Sequence, residues 1–116
     1  MDALRVAFDS VAPRMPGVGF DAFAQALEDA EVHPVKVAGE CVGAVIVKGN
    51  EIHACVLPEA SGRWFTRREA RVLNDVIDRY GFATTTATTP AGVEFVRRLG
   101  FTRCGEVWKK ETKYGH

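Results

Sequence analysis

The sequence predicts an α/β domain built on one mixed sheet, and three observations predict it. CVGAVIVK at 41–48 is a nearly unbroken run of β-branched and small apolar residues, as a central strand covered on both faces requires. Gly49-Asn50 follows it, a two-residue hairpin signal, and Ile52 to Leu57 pairs back as the next strand. From Glu51 onward the pattern alternates strand, helix, strand, helix, strand, so right-handed crossovers must set part of the sheet parallel, with helices on both faces.

The 116 residues make a single domain, 1–116, with a real core and no room for a second. Hydrophobic residues make up 47% and charged ones 26%, the balance of an ordinary globular chain. Fifteen basic and fifteen acidic side chains cancel, which argues against nucleic acid or a membrane surface as partner. No apolar run is long enough to span a bilayer, and MDALRVAFDS lacks the features of a secretory signal, so the expected compartment is the cytoplasm. Cys41, Cys55 and Cys104 are odd in number and match no zinc spacing; they read as reduced, mostly buried, with no metal expected.

Leu4, Ala7, Phe8 and Val11 recur at helical spacing and predict a helix over 2–12, broken by Pro13, Pro16, Gly17 and Gly19. A second helix is expected over 21–31 with Asp21 as N-cap, ended by His33-Pro34. Val35 and Val37 form a short strand that opens the meander. After Pro58 comes the long helix, with Phe65, Val72, Leu73, Val76, Ile77 and Tyr80 as its apolar stripe and Gly81 at its end. Arg68 and Glu69 interrupt that stripe, so the first turn is expected to face a cleft or solvent. FATTTA (82–87) reads as a strand rich in β-branched threonine. Thr89-Pro90 opens a helix by N-cap and proline at its first position. That helix stops at Gly100, with Phe101 folding back on its last turn. EVWKKE (106–111) is the last strand and Lys113 to His116 is loose.

The long helix carries Arg63, Arg67 and Arg68 at its start. A helix start concentrates partial positive charge on unpartnered N–H groups, and cations placed there cost a few tenths of a kcal/mol each. An anion bound among them would offset that cost.

Three local patterns carry a family resemblance. EIHACVLPE is similar to the fourth strand and proline-acid turn of the GNAT superfamily of N-acetyltransferases. SGRWFT lies where that family has its (Gln/Arg)-x-x-Gly-x-(Gly/Ala) loop, and TTPAGVEFVRRLGF resembles its C-terminal helix ending in Leu-Gly-Phe. The resemblance spans roughly 35–112 and implies an acyl-CoA N-acyltransferase-like fold: two helices, a β-meander, then β-α-β-α-β, with a shortened C-terminal end. It also implies acetyl-CoA as co-substrate and an unidentified amine as acceptor.

In the family, the parallel fourth and fifth strands splay, and the pantetheine arm pairs with fourth-strand backbone. Carried over, Val56 and Leu57 would contact that arm. Ser61, Gly62, Arg63, Trp64, Phe65, Thr66 and Arg67 would cradle the diphosphate, and Thr89 stands where an asparagine is common. Glu51 matches the family's glutamate base, and His53 lies two residues on, on the same strand face.

The departures from the family pattern are Ser61, Trp64 and Thr66 within the loop motif and Val96 in place of the tyrosine acid. Tyr80, Tyr114 or water is left to protonate the thiolate. Trp64 is expected to stack on the adenine, cover the cleft or fill it as core. The shortened end leaves an edge that a second copy of the chain would cover. Small proteins with a Gly-Arg-Trp loop also look similar to ones of tailed bacteriophages, so the rival expectation is a GNAT-like structural or interaction protein without catalysis.

Overall fold

The computed structural model describes residues 2–114. Helix α1 (Ala3–Val11) runs through a 3₁₀ turn (Ala12–Arg14) to α2 (Phe20–Ala26). Strands β1 (Glu31–Val37), β2 (Glu40–Lys48) and β3 (Glu51–Val56) follow, then a 3₁₀ turn at Pro58–Ala60 and α3 (Arg67–Tyr80). The chain continues through β4 (Ala83–Thr85), α4 (Pro90–Arg98), β5 (Thr102–Cys104) and β6 (Val107–Lys110). Among the described residues the sheet has six strands in the order β1-β2-β3-β4-β6-β5, antiparallel except where β3 meets β4. The mixed α/β class read from the sequence is the observed one.

Strand alternation divides β2 between two layers. Val45 and Val47 join Leu73, Val76 and Ile77 of α3, Val96 and Leu99 at α4, and Trp108 of β6 in one core. Ala44 and Ile46 point the other way and are equally buried, under Val6, Ala7 and Phe8 of α1. Phe8 in turn meets Phe20 and Phe23 edge-on, with ring centroids 5.8 and 5.3 Å apart, which docks α2 on α1. Asp2 caps α1, its Oδ1 accepting the Leu4 N–H at 3.1 Å.

Gly43 makes the β2–β3 contact possible. It lies opposite Val56 with φ +155°, and a Cβ there would fall 2.1 Å from the Cys55 carbonyl oxygen and 2.7 Å from the Val56 Cα. Helix α4 ends as the sequence predicts. The Phe101 N–H reaches Val96 O and the Gly100 N–H reaches Arg97 O, both at 3.0 Å, a Schellman closure with Gly100 at φ +96°.

Several boundaries differ from expectation. Helix α2 is capped by Gly19 rather than Asp21 and stops at Ala26, not 31, because β1 takes over from Glu31. Pro34 therefore lies inside β1, opposite Ala44, where the strand is an edge and a missing donor costs little. Strand β4 is half the predicted length, and Tyr80 is exposed at the end of α3 instead of joining its stripe. The C-terminal end holds two strands where the sequence predicts one. The unexpected strand β5 pairs with β6, which inserts between β4 and β5. The sheet's open edges are thus three-residue β5 and proline-bearing β1, short or blunted as edges usually are.

The tail expected to be loose is anchored as far as it is described, Gly115 and His116 lying outside the described residues. Lys113 pairs with Asp78, and Tyr114 exchanges two hydrogen bonds with the Asn74 side chain of α3, at 2.7 and 3.1 Å. Among the described residues no helix is long and apolar enough to cross a membrane.

Candidate functional site

Among the described residues the sheet has one parallel junction, and it is interrupted there. Strands β3 and β4 register at the single pair Glu51↔Thr84, where the Thr84 N–H donates to Asn50 O at 2.8 Å and its hydroxyl to Asn50 Oδ1 at 3.1 Å. Beyond that point β4 ends and β3 runs on alone. The Leu57 N–H donates to Val42 O at 2.8 Å, which fixes the parity of β3. Odd-numbered residues turn their main chain toward β2, so Ala54 and Val56 turn theirs toward the gap. Ala54 is accordingly exposed although it lies in an interior strand. Of the two strand residues read from the sequence, Val56 turns its main chain toward the gap and Leu57 turns its own toward β2; Ala54 shares the orientation of Val56. The parity was legible once the hairpin fixed the β2–β3 register.

The loop from 58 to 66 differs from an open anion cradle. Helix α3 begins at Arg67 with Thr66 as N-cap, so Arg63 lies outside it, donating from Nη2 to Glu59 O at 2.6 Å. Glu69 is buried at 6% exposure and its Oε1 accepts both the Thr66 N–H, at 2.9 Å, and the Thr66 hydroxyl, at 2.6 Å. The Thr66 side chain accepts in return from the Arg68 N–H at 3.3 Å, completing a capping box. The carboxylate that suits the start of α3 is therefore the protein's own, and Glu69 faces inward, against the expectation of a solvent- or cleft-facing turn.

The N–H groups of Ala60, Ser61 and Arg63 are spent on turn carbonyls. Among the described residues this leaves those of Gly62, Trp64, Phe65 and Arg67 to meet a ligand. Ser61, Gly62, Arg63 and Arg67 are exposed.

Trp64 belongs to the core. It is 8% exposed, its ring centroid 5.6 Å from Phe65 and 5.2 Å from Phe95, with Tyr114 completing the cluster against Phe65 at 5.5 Å. A cavity of about 200 Å³ opens beside it, lined by Gly62, Phe65, Phe95, Arg98, Leu99 and Tyr114. Three of the residues read as a cofactor loop, Gly62, Trp64 and Phe65, thus meet here. Tyr114, one of the candidate acids, joins them from the tail, whereas the aromatic partner Phe95 was not foreseen.

Glu51 and His53 occupy one face of β3, with Cys55 next along it, opposite Lys48, Ile46 and Ala44 of β2. This is the α1 side of the sheet. Burial pushes the His53 imidazole below its ordinary 6.5, while the Glu51 carboxylate works to raise it. His53 is therefore neutral at pH 7 and able to accept a proton. Thr89 caps α4, its Oγ1 accepting the Gly92 N–H at 3.0 Å, and Val96 is buried with no polar atom to offer.

A pH dependence follows from His53. The unfolded chain takes up its proton near 6.5 while the native state resists it, so the unfolded state binds more protons as pH falls through 6.5. Native stability is expected to decline from pH 7.5 to 5.5, and His53→Gln to decline less. Urea midpoints of both proteins at the two pH values check this, and parallel declines would mean that the fold does not disfavour the imidazolium.

Cys41 and Cys55 are half-buried, whereas Cys104 is exposed on β5, contrary to the buried reading; all three are free. Among the described residues no group of three His, Cys, Asp or Glu side chains is arranged to hold a metal ion. No protein-family model matches the chain, and no curated protein or solved structure was found similar to it.

Proposed function

We propose that the chain is a small GNAT-fold protein that binds acetyl-CoA and transfers the acetyl group to an amine. The carrying observation is the cleft at the parallel junction, where Ala54 and Val56 present main-chain groups beside a strand that has ended. An extended amide-bearing arm such as pantetheine can pair with that edge, as a missing strand would. The residue order α-α-β-β-β-α-β-α followed by a strand pair, together with the Leu-Gly-Phe ending of α4, supports the same reading.

In this reading neutral His53 takes a proton from the acceptor ammonium. The freed amine attacks the thioester carbonyl and the C–N bond forms; the attacking nitrogen then sheds its second proton to solvent as the C–S bond breaks, and CoA departs as a thiolate. Val96 has no proton to give, so solvent protonates the thiolate. The diphosphate would meet the exposed Gly62 N–H and the guanidinium groups of Arg63 and Arg67 rather than the start of α3, which Glu69 already neutralises.

A second reading has its own observation. Glu69 at the helix start and Trp64 in the core leave little of the family's diphosphate loop, which favours a GNAT-like binding or structural protein without turnover. Thermal unfolding with acetyl-CoA, CoA and ATP separates the two. At a hundred times its dissociation constant a ligand adds about 2.7 kcal/mol. In a domain of this size that is a rise of roughly 10 °C. The rise is expected with acetyl-CoA and CoA and not with ATP. Its absence at millimolar ligand would leave the second reading.

A further inference from the structure

The β3–β4 cleft has a second rim, on the α1 side, that the acyl arm leaves free. His53 and Cys55 point to that face, and the 3₁₀ turn after α1 carries Arg14 over it. Burial pushes the Cys55 thiol up, and the Arg14 charge works against that shift. The Arg14 Nη1 donates to Thr88 Oγ1 at 3.4 Å, in the loop between β4 and α4. Arg14 thus spans the mouth of the cleft, from the end of α1 to the far side of the gap.

The hydroxyl is its only side-chain partner among the described residues, where no ion pair includes Arg14. Arg14 is exposed, and a guanidinium free of carboxylate partners is suited to a planar oxyanion. One strand repeat of about 6.7 Å separates Cys55 from His53. An amine and an oxyanion joined by a short carbon chain place their polar ends a comparable distance apart.

We propose that the acceptor is a small amine bearing an oxyanion, the oxyanion held by Arg14 and the nitrogen delivered to His53. This rests on the transferase reading, whose cofactor it complements from the opposite rim. Neither Glu51 nor Asp9, the acids nearest in sequence to the two rim elements, answers the Arg14 charge: Glu51 lies at the far end of β3, and Asp9 pairs with Arg5 at 3.7 Å.

Binding is tested on the protein without cofactor. The backbone amide shifts of Cys55 and Thr88 are followed by NMR during titration with β-alanine, 2-aminoethylphosphonate and propylamine. The carboxylate and the phosphonate are expected to shift both amides saturably, and propylamine is not. The two acids also distinguish which oxyanion the rim prefers. Arg14→Gln is expected to weaken binding about tenfold or more, with Arg14→Lys between. Equal shifts with propylamine, or unchanged binding in Arg14→Gln, overturns the assignment; the propylamine comparison needs no variant.

The acetyl-CoA melting experiment reports separately. Acetyl-CoA binding without oxyanion preference rejects the acceptor assignment alone. Oxyanion-dependent amine binding without an acetyl-CoA response keeps the Arg14 rim and rejects the transferase.

Discussion

Replacing Gly43 with alanine is expected to cost about 3–5 kcal/mol, the sum of a strained backbone and a forced separation of two strands. Gly43 has φ +155°, outside the range a side chain tolerates, and its Cβ would meet main-chain atoms of Cys55 and Val56. Backbone cannot rotate aside as a lysine tip can, so β3 must move away from β2 along the part that walls the cleft. The unfolding midpoint should fall by roughly 12–20 °C. Gly39→Ala is the control. Gly39 also has positive φ, +82°, but a Cβ there meets nothing within 4 Å. Its cost should stay near ~1 kcal/mol, the strain alone. Equal losses in the two variants would mean that β2 and β3 are not in such close contact at Val56. Because the displaced peptide belongs to the cleft wall, any acetyl-CoA response should also weaken in Gly43→Ala.

What the sequence made legible was punctuation. Gly49-Asn50, Thr89-Pro90 and Leu99-Gly100-Phe101 each name a residue type that one backbone geometry requires, and each ends or turns an element where expected. Boundaries without such a requirement were missed. Glu31 to Pro34 has no strand alternation and ends in a residue that usually ends strands, yet an edge strand accepts proline. Strand β5, Thr102–Cys104, is three exposed residues with no apolar signal at all. Its existence depends on β6 being inserted beside β4, which only the assembled sheet decides.

The start of α3 is a different case, because its answer was written in the chain. Thr66-Arg67-Arg68-Glu69 is a capping box spelled out, with threonine at N-cap and glutamate three residues on. Reading the arginines first made the helix start look like a site awaiting an external anion. A helix start does favour an anion, but a carboxylate three residues away reaches it at no cost in association entropy. That leaves the candidate site resting on the cleft between β3 and β4 rather than on the loop, a feature that strand lengths in the sequence do not reveal.

Trp64→Ala should be nearly as damaging as Gly43→Ala, and it tests which of the two features governs function. The Trp64 ring is 8% exposed and touches Phe65 and Phe95, so truncation removes a large buried aromatic and merges the void with the neighbouring cavity of about 200 Å³. Such a change costs about 3–5 kcal/mol, because the surroundings collapse only in part. Indole at millimolar concentration should then recover several degrees of the lost midpoint, since the space the ring vacates is walled by Phe65 and Phe95 and accepts a ring of matching size. Trp64→Phe should lose much less. A ligand-facing tryptophan predicts the reverse pattern: a small stability loss, no indole rescue, and a collapsed response to acetyl-CoA. If the core pattern is found and the acetyl-CoA response of Trp64→Phe matches that of the unaltered protein, cofactor recognition must lie with the β3 edge at Ala54 and Val56 and the cations at 63 and 67, and a buried tryptophan at position 64 carries no penalty for binding.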